Sequence, residues 1–181
     1  YAARHLFELE GFEPVTIEKL AKTANVSEPT IYLLYKSKRG ILHALMDEVF
    51  PSDQFLDLIE QRKIEKSPKE RLVLTSKLAR CVFDAERAHI NLFRGASVLS
   101  PELKEVEQER EKRRYELQVE VVARMAEEQC LAPGLDLTKA RDILWALSSR
   151  DLYRMCVVER GWASDEYQQW LADLLIKALL K

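Results

Sequence analysis

The chain has 181 residues, 28 Lys and Arg against 30 Asp and Glu, 47% hydrophobic residues, and only 5 Gly and 6 Pro. That length buries a core without disulfide or metal staples, and the scarcity of turn formers excludes a many-turned sheet in favour of an all-α fold. No apolar run approaches the roughly 18 residues of a membrane span and no signal-peptide pattern opens the chain, so a soluble, cytoplasmic protein without a membrane partner is expected. Tyr1 already lies in a helical pattern with no Met before it, which predicts that the sequence continues upstream. A first helix ends near Glu10 at Gly11, a residue suited to the left-handed position just past a helix end. Thr16 caps a second helix through about Ala24. Ser27 caps a third, with Glu28 complementing the dipole of its first turn and Pro29 placed where early N–H groups have no helical partner. Ser37 caps a fourth, carrying Ile41, Leu42, Leu45, Met46, Val49 and Phe50 at helical spacing. Pro51 and Ser52 mark a boundary, dividing the chain into residues 1–49 and 50–181.

Beyond the boundary the predicted helices lengthen. Ser67-Pro68-Lys69-Glu70 combines a capping box with Pro at the first helical position and opens a helix toward Ala85. Ser100-Pro101 opens another, closed by Ala132-Pro133-Gly134. Residues 102–116 carry eleven charges of both signs, read as a solvated helix face. Cys81, Cys130 and Cys156 are odd in number and far apart, and are read as reduced, mostly buried thiols without metal.

The last two helices bear on assembly. Tyr167, Trp170, Leu171, Leu174, Leu175, Ala178 and Leu179 form a wide apolar stripe on the terminal helix. The helix before it, about 139–158, is apolar over much of its circumference, with Leu144, Leu147 and Tyr153 among its members. Covering both faces calls for a second copy of the chain, so a homodimer joined by a four-helix interface is expected.

Near the other end, helix, short turn Asn25-Val26-Ser27, helix is the layout of a helix-turn-helix, whose second helix enters the major groove of double-stranded DNA. At about 100° per residue, Ile31 and Tyr35 share one side of the third helix and anchor it to the core, leaving Pro29, Thr30, Tyr32 and Leu33 outward or on the flank. Apolar atoms there suit thymine methyl groups, while Thr30 and the Tyr32 hydroxyl reach bases or backbone. Lys36, Lys38 and Arg39 are placed to contact phosphates.

These residues carry a family resemblance. Leu6-Phe7-x-x-x-Gly11-Phe12, Thr16-x-x-x-Leu20-Ala21-x-x-Ala24-x-Val26-Ser27 and Thr30-x-Tyr32-x-x-Tyr35-x-Ser37-Lys38 resemble the DNA-binding signature of the TetR/AcrR family of transcriptional repressors over about residues 1–49. Trp145-Ala146-Leu147, Tyr153-Arg154 and Val158-Glu159-Arg160-Gly161-Trp162, followed by Tyr167-x-x-Trp170-Leu171, resemble regulatory domains of the same family. The resemblance implies a homodimer with a small DNA-binding head and a larger body that binds an unidentified small-molecule effector. In the tetracycline repressor of that family, residues at the positions of Glu28, Pro29, Thr30, Tyr32 and Lys38 approach DNA. The implied mechanism is a change in spacing of two recognition helices when the effector binds, with the fourth helix as transmitter.

Departures from the family pattern bear on readout. Leu33 and Leu34 stand where a polar or aromatic residue commonly precedes the anchoring aromatic. Glu28 replaces an amide of the tetracycline repressor; it either accepts from a cytosine amino group or only stabilises the helix start. Acidic residues outnumber basic ones over positions 1–50, seven to six, so attraction to phosphate depends on local placement. Phe83, Phe93, Arg94 and Trp145 are candidates to line an apolar effector cavity, the alternative being ordinary core. Glu86-Arg87-Ala88-His89 has the spacing of a di-iron carboxylate bundle, but no second such pair exists, and His5 and His43 supply none. No hydrolase elbow, phosphate loop or zincin helix is present, so no catalytic residue, metal or cofactor is predicted. The other alternative is a helix-turn-helix used for protein contact alone.

Overall fold

The computed structural model describes residues 1–47, 53–86 and 101–181. They fall into two compact units, one of residues 1–47 and 101–110, the other of residues 53–86 and 111–181. The fold is all-α: among the described residues the only β feature is an isolated antiparallel bridge between Leu131 and Leu180.

The first unit begins with α1 (Ala2–Glu10), α2 (Ile17–Ala24), α3 (Glu28–Tyr35) and α4 (Lys38–Asp47). The starts of α2, α3 and α4 are fixed by the hydroxyls that the sequence places there. Thr16 Oγ1 accepts from the Lys19 N–H at 3.1 Å, Ser27 Oγ from the Thr30 N–H at 3.3 Å, and Ser37 Oγ from the Gly40 N–H at 3.0 Å. Gly11 ends α1 with φ +84 and ψ 168, which is not the left-handed helical cap expected but an extended conformation open essentially to glycine alone. Leu6, Phe7, Phe12, Val15, Leu20, Ala21, Ile31, Ile41 and Leu42 form the core, with the Phe7 and Phe12 rings 5.1 Å apart. Full burial of a large apolar side chain stabilises by roughly 1.5–3 kcal/mol, enough for this small cluster to hold short helices that would not persist alone. Val49, Phe50 and the boundary at Pro51 and Ser52 lie outside the described residues.

The second unit contains α5 (Asp53–Ile64), α6 (Pro68–Glu86), the later part of α7 (Pro101–Leu117), α8 (Val119–Glu127), α9 (Leu137–Leu147), α10 (Arg150–Tyr153), a π-helical turn (Arg154–Glu159) and α11 (Ser164–Leu179). Helix α11 packs along α6 and against α9. Leu72, Leu78, Phe83, Met125, Leu144, Tyr153, Tyr167, Leu171 and Leu175 are buried between these elements. The chain end is tied down by the Ala132 N–H to Leu179 O at 2.9 Å and the Lys181 N–H to Cys130 O at 3.1 Å.

Several elements differ from the sequence reading. Helix α5 was not foreseen and buries none of its residues fully. Ser67 Oγ does accept from the Glu70 N–H at 3.3 Å, but its own N–H goes to Glu65 Oε1 at 2.8 Å, so the reciprocal half of the capping box is supplied from the other side. The single helix expected from Ser100 to Ala132 is interrupted at Gln118, whose side chain is buried and donates to Ser148 Oγ at 3.0 Å. Its second half stops at Glu127, and Gln129 turns the chain with φ +53.

The helix expected over 139–158 is likewise divided. Asp136 caps α9 through the Lys139 N–H at 2.8 Å, and Ser148 Oγ donates back to Leu144 O at 2.6 Å at its end. Ser149 then caps α10, and the bulged turn follows. Serines that bond to nearby backbone compete with helix continuation, which is the reason for the break. The cysteines are free and half-buried rather than mostly buried.

Candidate nucleic-acid interface

Helices α2 and α3 are joined by Asn25 in the left-handed conformation, φ 54 and ψ 46, with the Val26 N–H returning to Ala21 O at 3.0 Å. This turn delivers Ser27 to its capping position and sets α3 across the head. Ile31, only 5% exposed, is the anchor on the inner side of α3. Tyr35 was expected to share that role but is 38% exposed; it borders an apolar cavity of about 210 Å³ together with Tyr1, Ala24, Val26, Leu34 and Leu45. The outer side carries Ser27, Glu28, Pro29, Thr30, Tyr32, Leu33 and Lys36, all exposed, and Thr16 is exposed at the start of α2. Leu33 is the most open apolar side chain of α3 at 72%. Thr30 Oγ1 lies 2.8 Å from Ser27 Oγ, so the two hydroxyls order one another at the helix start.

The three cations near the end of α3 do not stand alike. Lys36 is exposed, with its Nζ donating to Leu33 O at 3.3 Å, and its backbone adopts φ +67. The Lys38 Nζ instead donates to Phe12 O at 3.0 Å and Glu13 O at 3.1 Å and lies 4.3 Å from the Phe12 ring centroid. Arg39 is gripped by Glu105 at 2.5 Å and Glu109 at 2.8 Å, and His43 Nε2 stands 3.6 Å from Glu109. Lys38 therefore ties the start of α4 to the loop after α1, and Arg39 ties it to α7 within the same unit. Residues 102–116 are correspondingly more than a solvated face. Lys22, exposed in the last turn of α2 and without an ion-pair partner among the described residues, is a phosphate-contact candidate that sequence reasoning missed; its place one turn before Asn25 was the signal.

In the second unit, Phe83 is buried with its ring 5.4 Å from Tyr153. Trp145 is 37% exposed, donates from Nε1 to Glu111 at 3.0 Å and stacks near Arg114, a surface arrangement rather than the wall of an enclosed cavity. Phe93 and Arg94 lie outside the described residues, as does His89. Glu86, 1% exposed, accepts from Arg150 Nε at 2.9 Å, which commits this carboxylate to an ion pair. Of the side chains assigned to a dimer interface, Leu144, Tyr153, Tyr167, Leu171 and Leu175 are each fully covered within the chain. They are intrachain core, because an apolar stripe in the sequence cannot tell which neighbour covers it. Leu147, Trp170, Leu174 and Ala178 are half-buried and keep surface for a partner.

Two polar groups in this unit, half-buried Asp84 and fully buried Tyr167, have unusual surroundings. Burial alone raises the Asp84 carboxyl, but bonds from Ser164 and Tyr153 and the Arg80 pair at 3.1 Å outweigh it and hold the group below the ordinary carboxylate range. The Tyr167 phenol is pushed far up by burial, and its hydroxyl has no hydrogen-bond partner among the described residues. No cluster of His, Cys, Asp and Glu fit to hold a metal occurs among the described residues.

A capped three-helix head presenting one exposed helix, followed by a larger helical unit, is the layout of a helix-turn-helix regulator. Residues 1–45 match the family described as bacterial regulatory proteins, tetR family. The fatty acid metabolism regulator protein of Bacillus subtilis is 36% identical over 74 residues, a stretch spanning 40% of this chain and 37% of that protein. A structure from Syntrophomonas wolfei assigned to the TetR family superposes with TM-score 0.76 at 18% identity, covering 96% of this chain and 89% of that one. FadR of Bacillus subtilis in complex with stearoyl-CoA superposes with TM-score 0.70 at 21% identity, over 97% and 94% of the two chains. At these identities the structural likeness establishes the fold. Residues 1–45 thus carry the tetR-family match, and the chain as a whole shares the fold of these regulators.

Proposed function

We propose that the protein is a ligand-responsive transcriptional regulator that binds a palindromic operator as a homodimer and leaves it when a small molecule binds, repression being the outcome. The observation that carries this reading is α3: Ile31 pins one side to the core while Pro29, Tyr32 and Leu33 stand exposed on a helix joined to α2 by a tight turn. Exposed apolar side chains on so short a helix cost free energy in water and gain it against base edges. Residues 1–49 act as the head and 50–181 as the body that dimerises and takes the effector. Leu147, Trp170, Leu174 and Ala178 supply the partner-facing side chains. No helix among the described residues is long and apolar enough to cross a membrane, which agrees with a cytoplasmic regulator.

Two recognition helices reach successive major grooves when about 34–36 Å apart, and an effector that favours another spacing weakens DNA affinity by linkage. Because one fold relative holds stearoyl-CoA, a long-chain acyl-CoA is the first effector to try. The test is selection of bound fragments from random duplex DNA, followed by anisotropy titration. A two-fold symmetric site is expected, and Tyr32→Ala should weaken it about tenfold, the scale of one lost base or backbone contact. Failure to enrich any duplex, or a monomer at micromolar concentration, overturns the reading.

A further inference from the structure

We infer that Leu33, backed by Pro29, reads thymine C5-methyl groups in each half-site and is the residue that sets operator preference; this rests on the DNA-binding reading above. With Ile31 buried, the helical period of about 100° per residue places Pro29 and Leu33, four apart, on the side of α3 facing away from the core. Leu33 is 72% exposed, and neither side chain has a donor or acceptor. The hydrogen-bonding side chains of α3 sit on its flanks, with the Thr30 hydroxyl already engaged by Ser27 at 2.8 Å. The leading ridge of this helix can therefore make no directional bond to a base edge. On the floor of the major groove the thymine methyl is the matching apolar feature, since the remaining edge groups are donors and acceptors that an apolar ridge would desolvate without recompense.

Charge in the head points the same way. Lys19 is paired with Glu10 at 2.5 Å, Lys38 is held by two carbonyls, and Arg39 lies between two glutamates. That leaves exposed Lys22 and Lys36 as the phosphate-contact candidates of α2 and α3, so the apolar contact takes a larger share of binding than in a strongly basic head.

The test replaces each half-site thymine of the selected operator, in turn, by uracil, which loses only the methyl. Wild-type protein should bind at least one such operator about fourfold more weakly per half-site, the effect of one unburied methyl-sized group. Leu33→Ala should bind thymine and uracil forms alike, whereas Leu33→Met, which keeps an apolar tip, should retain the difference. Because Leu33 is exposed, both variants should match the wild-type melting temperature. Equal binding of thymine and uracil operators by wild type, or a difference that survives in Leu33→Ala, overturns the inference while leaving DNA binding intact. Absence of binding to any duplex overturns both.

Discussion

A methyl group built on Gly40 would stand 1.7 Å from the carbonyl oxygen of Tyr35 and 2.9 Å from its carbonyl carbon. The first turn of α4 thus runs directly against the last residue of α3, and the Ser37 N–H reaches the same Tyr35 oxygen at 2.8 Å. Backbone cannot swing aside as a side chain does, so Gly40→Ala must displace α3 or α4. The expected cost is about 3 kcal/mol, the upper end of overpacking effects. Urea unfolding should show the loss, with operator binding falling in parallel. An alanine variant of unchanged stability would mean that the two helices are not held at this separation.

Lys36 and Lys38 are two residues apart, and in the sequence they look interchangeable. Their surroundings predict opposite phenotypes. Lys36→Gln should leave the melting temperature unchanged and lower the dependence of log affinity on log salt by about 1 for each head that contacts phosphate. Lys38→Met keeps the stem but removes the donor to Phe12 O and Glu13 O, so it should destabilise the head by about 1–2 kcal/mol. Anisotropy titrations between 50 and 200 mM salt, beside thermal melts, separate the two effects; identical behaviour of the two variants would refute the distinction.

That contrast shows what was legible in the sequence. Thr16, Ser27 and Ser37 declare their helix starts because a cap acts on the backbone three residues away, and Ile31 declares the inner side of α3 through local periodicity. Long-range partners leave no such mark. Arg39 meets Glu105 and Glu109 from far along the chain, and Tyr167 and Leu171 meet α6 rather than another copy. Gln118 and Ser148, which stand at two helix breaks, are bonded to one another across thirty residues, a pairing that neither local window contains.

Asp84 ties α6 to Tyr153 and Ser164, accepting the Tyr153 hydroxyl at 2.5 Å. Its carboxyl is held below the ordinary value near 3.9 despite partial burial, so the folded protein binds this proton more weakly than the unfolded chain does. Stability from this group is present above the unfolded value and is lost as pH falls through the folded one. Asp84→Asn should be less stable near neutrality and should lose less on acidification. Urea midpoints measured at pH 6, 4 and 3 test this; parallel curves for wild type and variant would remove Asp84 from the acid response.

Tyr167 is completely buried, its ring set edge-on to Tyr153 at 5.2 Å and tilted against Trp170 at 5.9 Å, yet its hydroxyl finds no hydrogen-bond partner among the described residues. A buried polar group without a partner costs about 1–3 kcal/mol, while the ring packing is kept by phenylalanine. Tyr167→Phe should therefore raise stability by about 1 kcal/mol, the reverse of an ordinary core truncation. Burial also raises the phenol far above its usual value, so wild type keeps this group's stability below about pH 10 and loses it as pH climbs toward the folded value. The variant should lack that alkaline loss. A Tyr167→Phe protein that melts lower than wild type would show that the hydroxyl makes a stabilising bond. A variant that melts higher but responds more weakly to effector, at unchanged DNA affinity, would show that the unsatisfied hydroxyl is kept for the ligand.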